Sequence, residues 1–273
     1  SINIMIFNHI FKLTNENEKH REYKCDNVNI NIDFISGSAL RVAVFNDNAE
    51  MLPTFTVNPN NNLSSLGRSR LSVDGFDCVA PIVEKFENKE KFVLDCGVTV
   101  DLDLNNFILS YCKESELLFA DRAPLAYNFE GEFGNGSYHY ITREDDEHIF
   151  GLGDKSGLIN KAGQVYRVET ADSMGFDAEK TDPLYKHVPF YICENSVGDY
   201  GIYYDTTDTS FVDLGREINN YYCHFKYFKT DDDCLVYYVF FGSKLSVLQQ
   251  YARLCGKQAF PPKWSFDYCG STM

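Results

Sequence analysis

Short segments in which apolar and polar residues alternate are the feature that most constrains the fold of this 273-residue chain. Residues 98–104 and 28–34 alternate strictly, as half-buried strands do, and residues 40–45 continue the second segment after a Ser-Gly-Ser turn. Residues 235–241 form a short apolar and aromatic run, which predicts a buried strand. Because turn residues recur at short spacing and no helical period separates the strands, the pattern predicts antiparallel sheets stacked in a mainly β sandwich.

The pattern changes after Ser243, where a helix is predicted to run to Gly256. Ser243 can cap the first turn, Gly256 can end the last one, and the two prolines that follow prevent the helix from resuming. The apolar residues of this helix recur at three- and four-residue steps: Leu245, Leu248, Ala252 and Cys255, with Tyr251 and Leu254 alongside. A short aromatic strand is predicted at residues 264–270, and one strand cannot satisfy its own backbone hydrogen bonds. We therefore predict a β-sandwich domain over residues 1–242, and a linker helix with the start of a further domain over residues 243–273.

The charge balance excludes several classes of partner. The 25 basic and 40 acidic side chains give a formal net charge of −15, which disfavours nucleic acid and anionic membranes because no basic patch is segregated along the chain. No apolar stretch approaches the roughly 18 residues of a membrane span, and the N-terminus lacks the basic region of a signal peptide. The nine cysteines are scattered without a CxxC pair, which indicates reduced thiols in a cytoplasmic protein.

The common catalytic and cofactor motifs are missing from the sequence. It has no GxSxG nucleophile elbow, no HExxH zinc motif, no phosphate-binding loop and no dinucleotide-binding fingerprint, so no cofactor is predicted. The six histidines show no metal-ligand spacing, and we expect ordinary surface or core roles for them and no metal site. The glycine-rich residues 131–136 lie between aromatic strands and predict a tight turn.

A long polar loop within residues 149–190 is the part of the chain best suited to binding a ligand. It contains Asp172, Asp177 and Asp182 together with aromatic side chains, and long structured loops in compact domains are often functional. A carboxylate can accept hydrogen bonds from sugar hydroxyls while a ring packs on the apolar face of the pyranose. The alternative is that Asp172 and Asp182 only stabilise turns, as aspartate in polar loops often does. Composition leaves both interpretations open.

Several uncommon strings occur in a fixed order in the second half of the chain. They are FGLGDKSG at residues 150–157, TADSMGFD at 170–177, TDPLYK at 181–186, YARLCG at 251–256 and FPPKW at 260–264. Together they resemble the N-terminal domain of glycoside hydrolase family 31, the α-glucosidase and α-xylosidase family, and its entry into the catalytic barrel. The resemblance covers roughly residues 120–273, whereas residues 1–120 match only in being rich in strands. Asp154 departs from the glutamate that the family usually has at this place.

The resemblance implies a galactose-mutarotase-like antiparallel β-sandwich followed by the first strand of a truncated (β/α)8 barrel. It also implies retaining hydrolysis of α-glycosidic bonds by two carboxylates, a nucleophile and an acid/base, about 5 Å apart. In the family both lie on later barrel strands, so we expect them downstream of Met273 and expect the 273-residue chain alone to be inactive. The single tryptophan, Trp264, does not begin the family's Trp-x-Asp nucleophile motif. We assign no catalytic role to Asp267, because the active-site end of that barrel strand would be residues 269–273.

In this family the long loop of the sandwich reaches over the mouth of the barrel and binds substrate. By the resemblance, Asp172 is the leading candidate for a sugar contact, although Thr170 stands where the family usually has an asparagine. Met174 and Phe176 would form a wall of the site, and Asp177 is a weaker candidate for binding. The implied partners are an oligosaccharide substrate and the chain's own C-terminal catalytic barrel.

Two other functions fit parts of the same sequence. A stand-alone carbohydrate-binding β-sandwich would use the same acids and rings, but it does not need the C-terminal helix, prolines and strand. A mutarotase-like epimerase needs a histidine and an acid in one cleft, and residue spacing does not assemble such a pair. An unpaired strand at the chain end would expose a sheet edge that favours a homo-oligomer. The preference for glucose or xylose, the linkage and the oligomeric state stay open.

Overall fold

The fold consists of 19 β-strands, one α-helix and one 3-10 turn over residues 9–59, 61, 67–131, 134–219, 223–257 and 259–267, which the computed structural model describes. In chain order the strands are β1 (Lys12–Asn17), β2 (His20–Cys25), β3 (Val28–Ser36), β4 (Ala39–Asn46), β5 (Ile82–Lys85), β6 (Lys89–Val93), β7 (Val98–Asp103), β8 (Ile108–Lys113), β9 (Glu116–Ala120), β10 (Tyr127–Gly131), β11 (Gly134–Thr142), β12 (His148–Gly153), β13 (Val165–Val168), β14 (His187–Glu194), β15 (Asp199–Tyr204), β16 (Ser210–Asp213), β17 (Ile218–Asn219), β18 (Cys223–Thr230) and β19 (Cys234–Phe241).

The strands form three antiparallel sheets. The largest has eight strands in the order β1-β2-β3-β4-β19-β15-β14-β12. The second has six strands, β10-β11-β18-β16-β13 with β17 beside β18, and the third has the order β5-β6-β7-β8-β9. One hydrophobic core contains side chains from all three sheets, among them Ile30, Val100 and Phe228. The mainly β, antiparallel sandwich predicted from the sequence is confirmed.

Strand β7 shows how the alternating pattern becomes a half-buried strand. Val98, Val100 and Leu102 point into the core and are at most 3% exposed. The intervening Asp101 is exposed on the opposite face. Removing each of these apolar side chains from water contributes about 1.5–3 kcal/mol to the stability of the fold. The two-residue period therefore determines which face of the strand is buried.

Strand β19 is buried along its whole length because it separates two cores. Leu235, Tyr237 and Val239 belong to the core between the sheets. Val236 and Tyr238 point the other way, into a second core on the outer face of the eight-stranded sheet. The prediction of a buried strand at residues 235–241 is therefore confirmed.

The second core is closed by helix α1 (Lys244–Cys255). The Ser243 hydroxyl accepts the Ser246 N–H at 3.3 Å, and Gly256 follows the last turn with φ +87°, so both predicted ends are confirmed. The buried face differs from the prediction. Val247 and Leu254 contact the sheet, whereas Leu245 and Leu248 are 66% and 48% exposed. The side that faces the sheet is set by where the chain leaves β19, which the helical period does not encode.

The predicted strand at residues 264–270 is not formed in its described part, where Lys263–Phe266 makes a 3-10 turn. The Ser265 N–H and hydroxyl both donate to the Pro262 carbonyl, at 2.9 and 2.7 Å. These local bonds satisfy backbone groups that have no neighbouring strand to pair with. Residues 268–273, which include the predicted active-site end of that strand, lie outside the described residues. The domain boundary at residue 242 stays a prediction.

Within the described part of the chain, no helix combines the length and the apolar character that crossing a membrane requires.

Candidate functional site

The polar loop predicted to bind substrate leaves the eight-stranded sheet after β12 and returns at β14, with the short β13 between. Gly151 and Gly153 have φ of +129° and +78°, a region that strains other residues. A Cβ at Gly151 would lie 2.5 Å from the Phe190 carbonyl oxygen, and one at Gly153 would lie 2.7 Å from that of Lys186. The FGLG string therefore lets the end of β12 lie directly against the segment where the loop returns.

A buried lysine joins the two limbs of the loop. The side chain of Lys155 is fully buried, and its Nζ lies 3.0 Å from Asp182 Oδ1 and donates to the Arg167 carbonyl. The other oxygen of Asp182 accepts the Arg167 N–H at 2.7 Å. Asp182 thus stabilises the loop, as the turn-stabilising alternative for this residue predicted.

Two further basic side chains lie beside this lysine, and their surroundings favour the neutral form. Lys161 Nζ lies 5.3 Å from the centre of the Tyr166 ring and donates to the Ser156 carbonyl at 3.1 Å. Burial, and then the charge of Lys155, lower the pKa of Lys161. The same two causes lower the pKa of His187, whose Nε2 lies 3.1 Å from Thr170 Oγ1. The base of the loop therefore brings three basic side chains together, and burial and the nearby charge of Lys155 disfavour the protonated forms of Lys161 and His187.

The leading candidate, Asp172, lies on the exposed part of the loop and is held by a tyrosine. The Tyr185 hydroxyl donates to Asp172 Oδ1, and this bond raises the pKa of the phenol. The limbs that carry the two residues are tied together, because the Ala171 N–H donates to the Leu184 carbonyl at 3.2 Å. Tyr185 is itself 57% exposed, so a carboxylate and an aromatic ring face solvent side by side.

The other three candidates divide into two kinds. Met174 is 92% exposed and Phe176 is 62% exposed, so both present apolar surface to solvent. Asp177 makes hydrogen bonds within its own turn. Its Oδ1 accepts the Glu179 N–H at 2.8 Å and its carbonyl accepts the Thr181 N–H at 3.0 Å. The structure therefore brings Asp172 to an exposed ring and gives Asp177 a local structural contact.

The histidine–aspartate pair formed by His139 and Asp121 lies inside the core. His139 Nε2 lies 2.9 Å from Asp121 Oδ1, and both side chains are 1% exposed. His139 Nδ1 lies 2.9 Å from the Tyr204 hydroxyl. A sugar cannot reach these groups, so the pair has the features of a buried structural network.

Sequence reasoning placed Lys155, Tyr185 and His187 within the loop segment but assigned them no role. Lys155 and Tyr185 stand inside the uncommon strings FGLGDKSG and TDPLYK, which is the signal that could have singled them out. His187 follows the second string directly and begins β14.

Comparison with protein families and curated sequences gives consistent matches. A family model described as the glycosyl hydrolase 31 N-terminal galactose mutarotase-like domain matches residues 29–213. The chain is 28% identical over 160 residues to alpha-glucosidase 2 of Bacillus thermoamyloliquefaciens, covering 58% of this chain and 19% of that protein. It is 25% identical over 248 residues to an alpha-xylosidase of Saccharolobus solfataricus, covering 89% of this chain and 30% of the xylosidase. The chain thus spans less than a third of the length of these relatives.

A solved structure shares the fold. The GH31 dextranase of Flavobacterium johnsoniae, complexed with glucose, superposes with a TM-score of 0.77 at 23% sequence identity. The match covers 95% of this chain and 30% of the dextranase chain. At this identity the likeness concerns the fold, which agrees with the sandwich described above.

Proposed function

Because the chain belongs to the family of glycosyl hydrolase 31 N-terminal galactose mutarotase-like domains, we propose that it is the non-catalytic N-terminal domain of a retaining α-glycosidase. The complete enzyme would hydrolyse terminal α-glucosides or α-xylosides of oligosaccharides, using two carboxylates supplied by a catalytic barrel. The alpha-glucosidase and alpha-xylosidase relatives support this substrate class. The present domain would contribute a substrate-binding loop.

The observation that carries the proposal is the pairing of Asp172 with Tyr185 on the exposed part of a loop whose base is fixed. An oriented carboxylate can accept hydrogen bonds from the hydroxyls of a terminal sugar. Phe176 and Met174 lie in the same exposed segment and supply apolar surface for the face of a pyranose. The Lys155–Asp182 contact limits the conformations of the loop before substrate arrives, which lowers the entropic cost of binding.

A second surface supports contact with a further domain. Large apolar side chains are exposed on helix α1 and on the segment that follows it: Leu245, Leu248, Phe260, Trp264 and Phe266. Clustered exposed apolar groups near one element are typical of an interaction surface. We propose that the catalytic barrel of the same polypeptide covers them.

The proposal is tested by Asp172→Asn in the complete enzyme, with Glu179→Gln as the matched control on an exposed acid of the same loop. Loss of a charged hydrogen bond to the sugar costs about 1.5–3 kcal/mol, so kcat/KM should fall roughly tenfold to a hundredfold in the Asp172 variant. The control should keep its activity. Hydrolysis of maltose, isomaltose and isoprimeverose is measured for each protein.

Unchanged kinetics in Asp172→Asn would remove this residue from the site. The stand-alone binding sandwich is separated from the proposal by titration calorimetry of the isolated chain with the same three sugars. Binding at millimolar concentration or tighter would favour the stand-alone module, because the proposed site is complete only with the barrel.

A further inference from the structure

Three side chains of the types that bind transition metals meet at one corner of the eight-stranded sheet. They are His9, which precedes β1, and Cys25 and Asp26, which lie at the turn between β2 and β3. An imidazole nitrogen, the thiol sulfur and a carboxylate oxygen all lie within 4.8 Å of one another. This corner lies beside β1, whereas the sugar loop leaves from β12 at the opposite edge of the sheet.

Two of the three distances between these atoms are close to those between the ligands of a tetrahedral ion. His9 Nδ1 lies 3.8 Å from Asp26 Oδ2, and Cys25 Sγ lies 4.0 Å from the same oxygen. Bonds of about 2.0–2.3 Å to zinc in a tetrahedron place neighbouring ligand atoms about 3.3–3.7 Å apart. The third distance, from the His9 nitrogen to Cys25 Sγ, is within 4.8 Å, so binding an ion requires the three atoms to approach by up to about 1 Å. The side chains of His9 and Asp26 are 48% and 80% exposed, so both can move without disturbing the core.

Two hydrogen bonds to Asn106 and a tight turn hold the two segments in place. The His9 N–H donates to Asn106 Oδ1 at 3.1 Å, and the Asn106 N–H donates to the His9 carbonyl at 2.7 Å. Cys25 pairs with Val28 across the two-residue turn, and Asp26 has the positive φ of +50° that such a turn uses. The ligand side chains thus project from backbone that is ordered before any ion binds, which lowers the cost of assembling the site.

We propose that His9, Cys25 and Asp26 bind a zinc-class divalent cation, with water completing the coordination. The donor set decides the class of ion: a thiolate and an imidazole favour zinc and its neighbours, whereas magnesium and calcium require oxygen ligands. Cys25 binds as the thiolate, so one proton passes to solvent for each ion bound. The competing explanation is an exposed ion pair between His9 and Asp26 beside an unrelated thiol.

The test is titration of the purified 273-residue chain with Co²⁺, a spectroscopic substitute for Zn²⁺. We expect one equivalent to produce a thiolate-to-cobalt charge-transfer band and the strong visible absorption of a tetrahedral ion. Zn²⁺ should displace the cobalt, and excess Mg²⁺ or Ca²⁺ should not. Cys25→Ser should abolish the charge-transfer band, and His9→Gln or Asp26→Asn should weaken binding about tenfold or more.

Cys96→Ser is the control, because Cys96 is an exposed free cysteine in a turn outside the proposed site. The proposal is overturned if no band forms, if the band survives Cys25→Ser, or if Cys96→Ser removes it. Circular dichroism checks that each variant is folded, and the His9 and Asp26 variants keep the test decisive if the Cys25 variant does not fold. None of these readouts involves the sugar loop, so they are independent of the function proposed above.

Discussion

His20 illustrates how neighbouring carboxylates set the pKa of a single side chain. Its Nδ1 lies 2.6 Å from Asp33 Oδ1, and its Nε2 lies 2.8 Å from Glu22 Oε1. Both ring nitrogens can donate only when the imidazole carries two protons. The hydrogen bond to Asp33 raises the pKa of His20 in spite of its partial burial, which acts in the other direction. The other oxygen of Asp33 lies 2.7 Å from the buried Arg41, so this one carboxylate contacts both His20 and Arg41.

We expect the protonated His20 to stabilise the fold on the acidic side of neutrality. Since its folded pKa is raised, the contribution is fully present below the unfolded value of about 6.5 and is lost as the pH rises through the folded value. The difference in unfolding free energy between wild type and His20→Gln should thus be larger at about pH 5.5 than at about pH 8.5. Urea unfolding of both proteins measures it. His187 titrates in both proteins and cancels, so an equal difference at the two pH values would contradict the expectation.

At the scale of an element, the two faces of helix α1 should differ in what they contribute to stability. Leu254 is 3% exposed against the outer face of the sheet, whereas Leu248 is 48% exposed. Leu254→Ala should lower the free energy of unfolding by about 2–5 kcal/mol, because it leaves a cavity. The same substitution at Leu248 should change it by no more than about 0.5 kcal/mol. Equal losses in denaturant unfolding of the isolated chain would show that the helix packs differently.

The elements also show which parts of the structure a sequence encodes locally. The alternation in β7 and the caps of α1 depend on neighbouring residues, so both were predictable. The pairing of β4 with β19 joins Val42 to Tyr237, and no local pattern specifies which distant strands meet. The exposed face of helix α1 could not be predicted for the same reason, because it depends on how the helix packs on a sheet assembled from remote segments.

The same distinction between local pattern and long-range contact applies to the candidate site. Asp172 and the apolar residues near it could be selected from the sequence, because uncommon strings mark the loop. The Tyr185–Asp172 and Lys155–Asp182 contacts required the folded loop, since each joins residues 13 or 27 positions apart across irregular backbone. His9 comes close to Cys25 only because the fold places the segment before β1 beside the turn between β2 and β3. For that reason the spacing of the histidines in the sequence did not indicate a site.

At the scale of the whole molecule, hydrolysis requires two carboxylates about 5 Å apart that reach one glycosidic bond. Asp172 is held by Tyr185 and Asp182 by Lys155, while Asp121 is buried with His139 and Asp33 is bound to the buried Arg41. We therefore expect the purified chain to give no turnover of p-nitrophenyl α-glucoside or α-xyloside, while circular dichroism shows a folded β protein. Turnover that co-purifies with the chain and scales with its concentration would contradict this and assign a catalytic role to the sandwich itself.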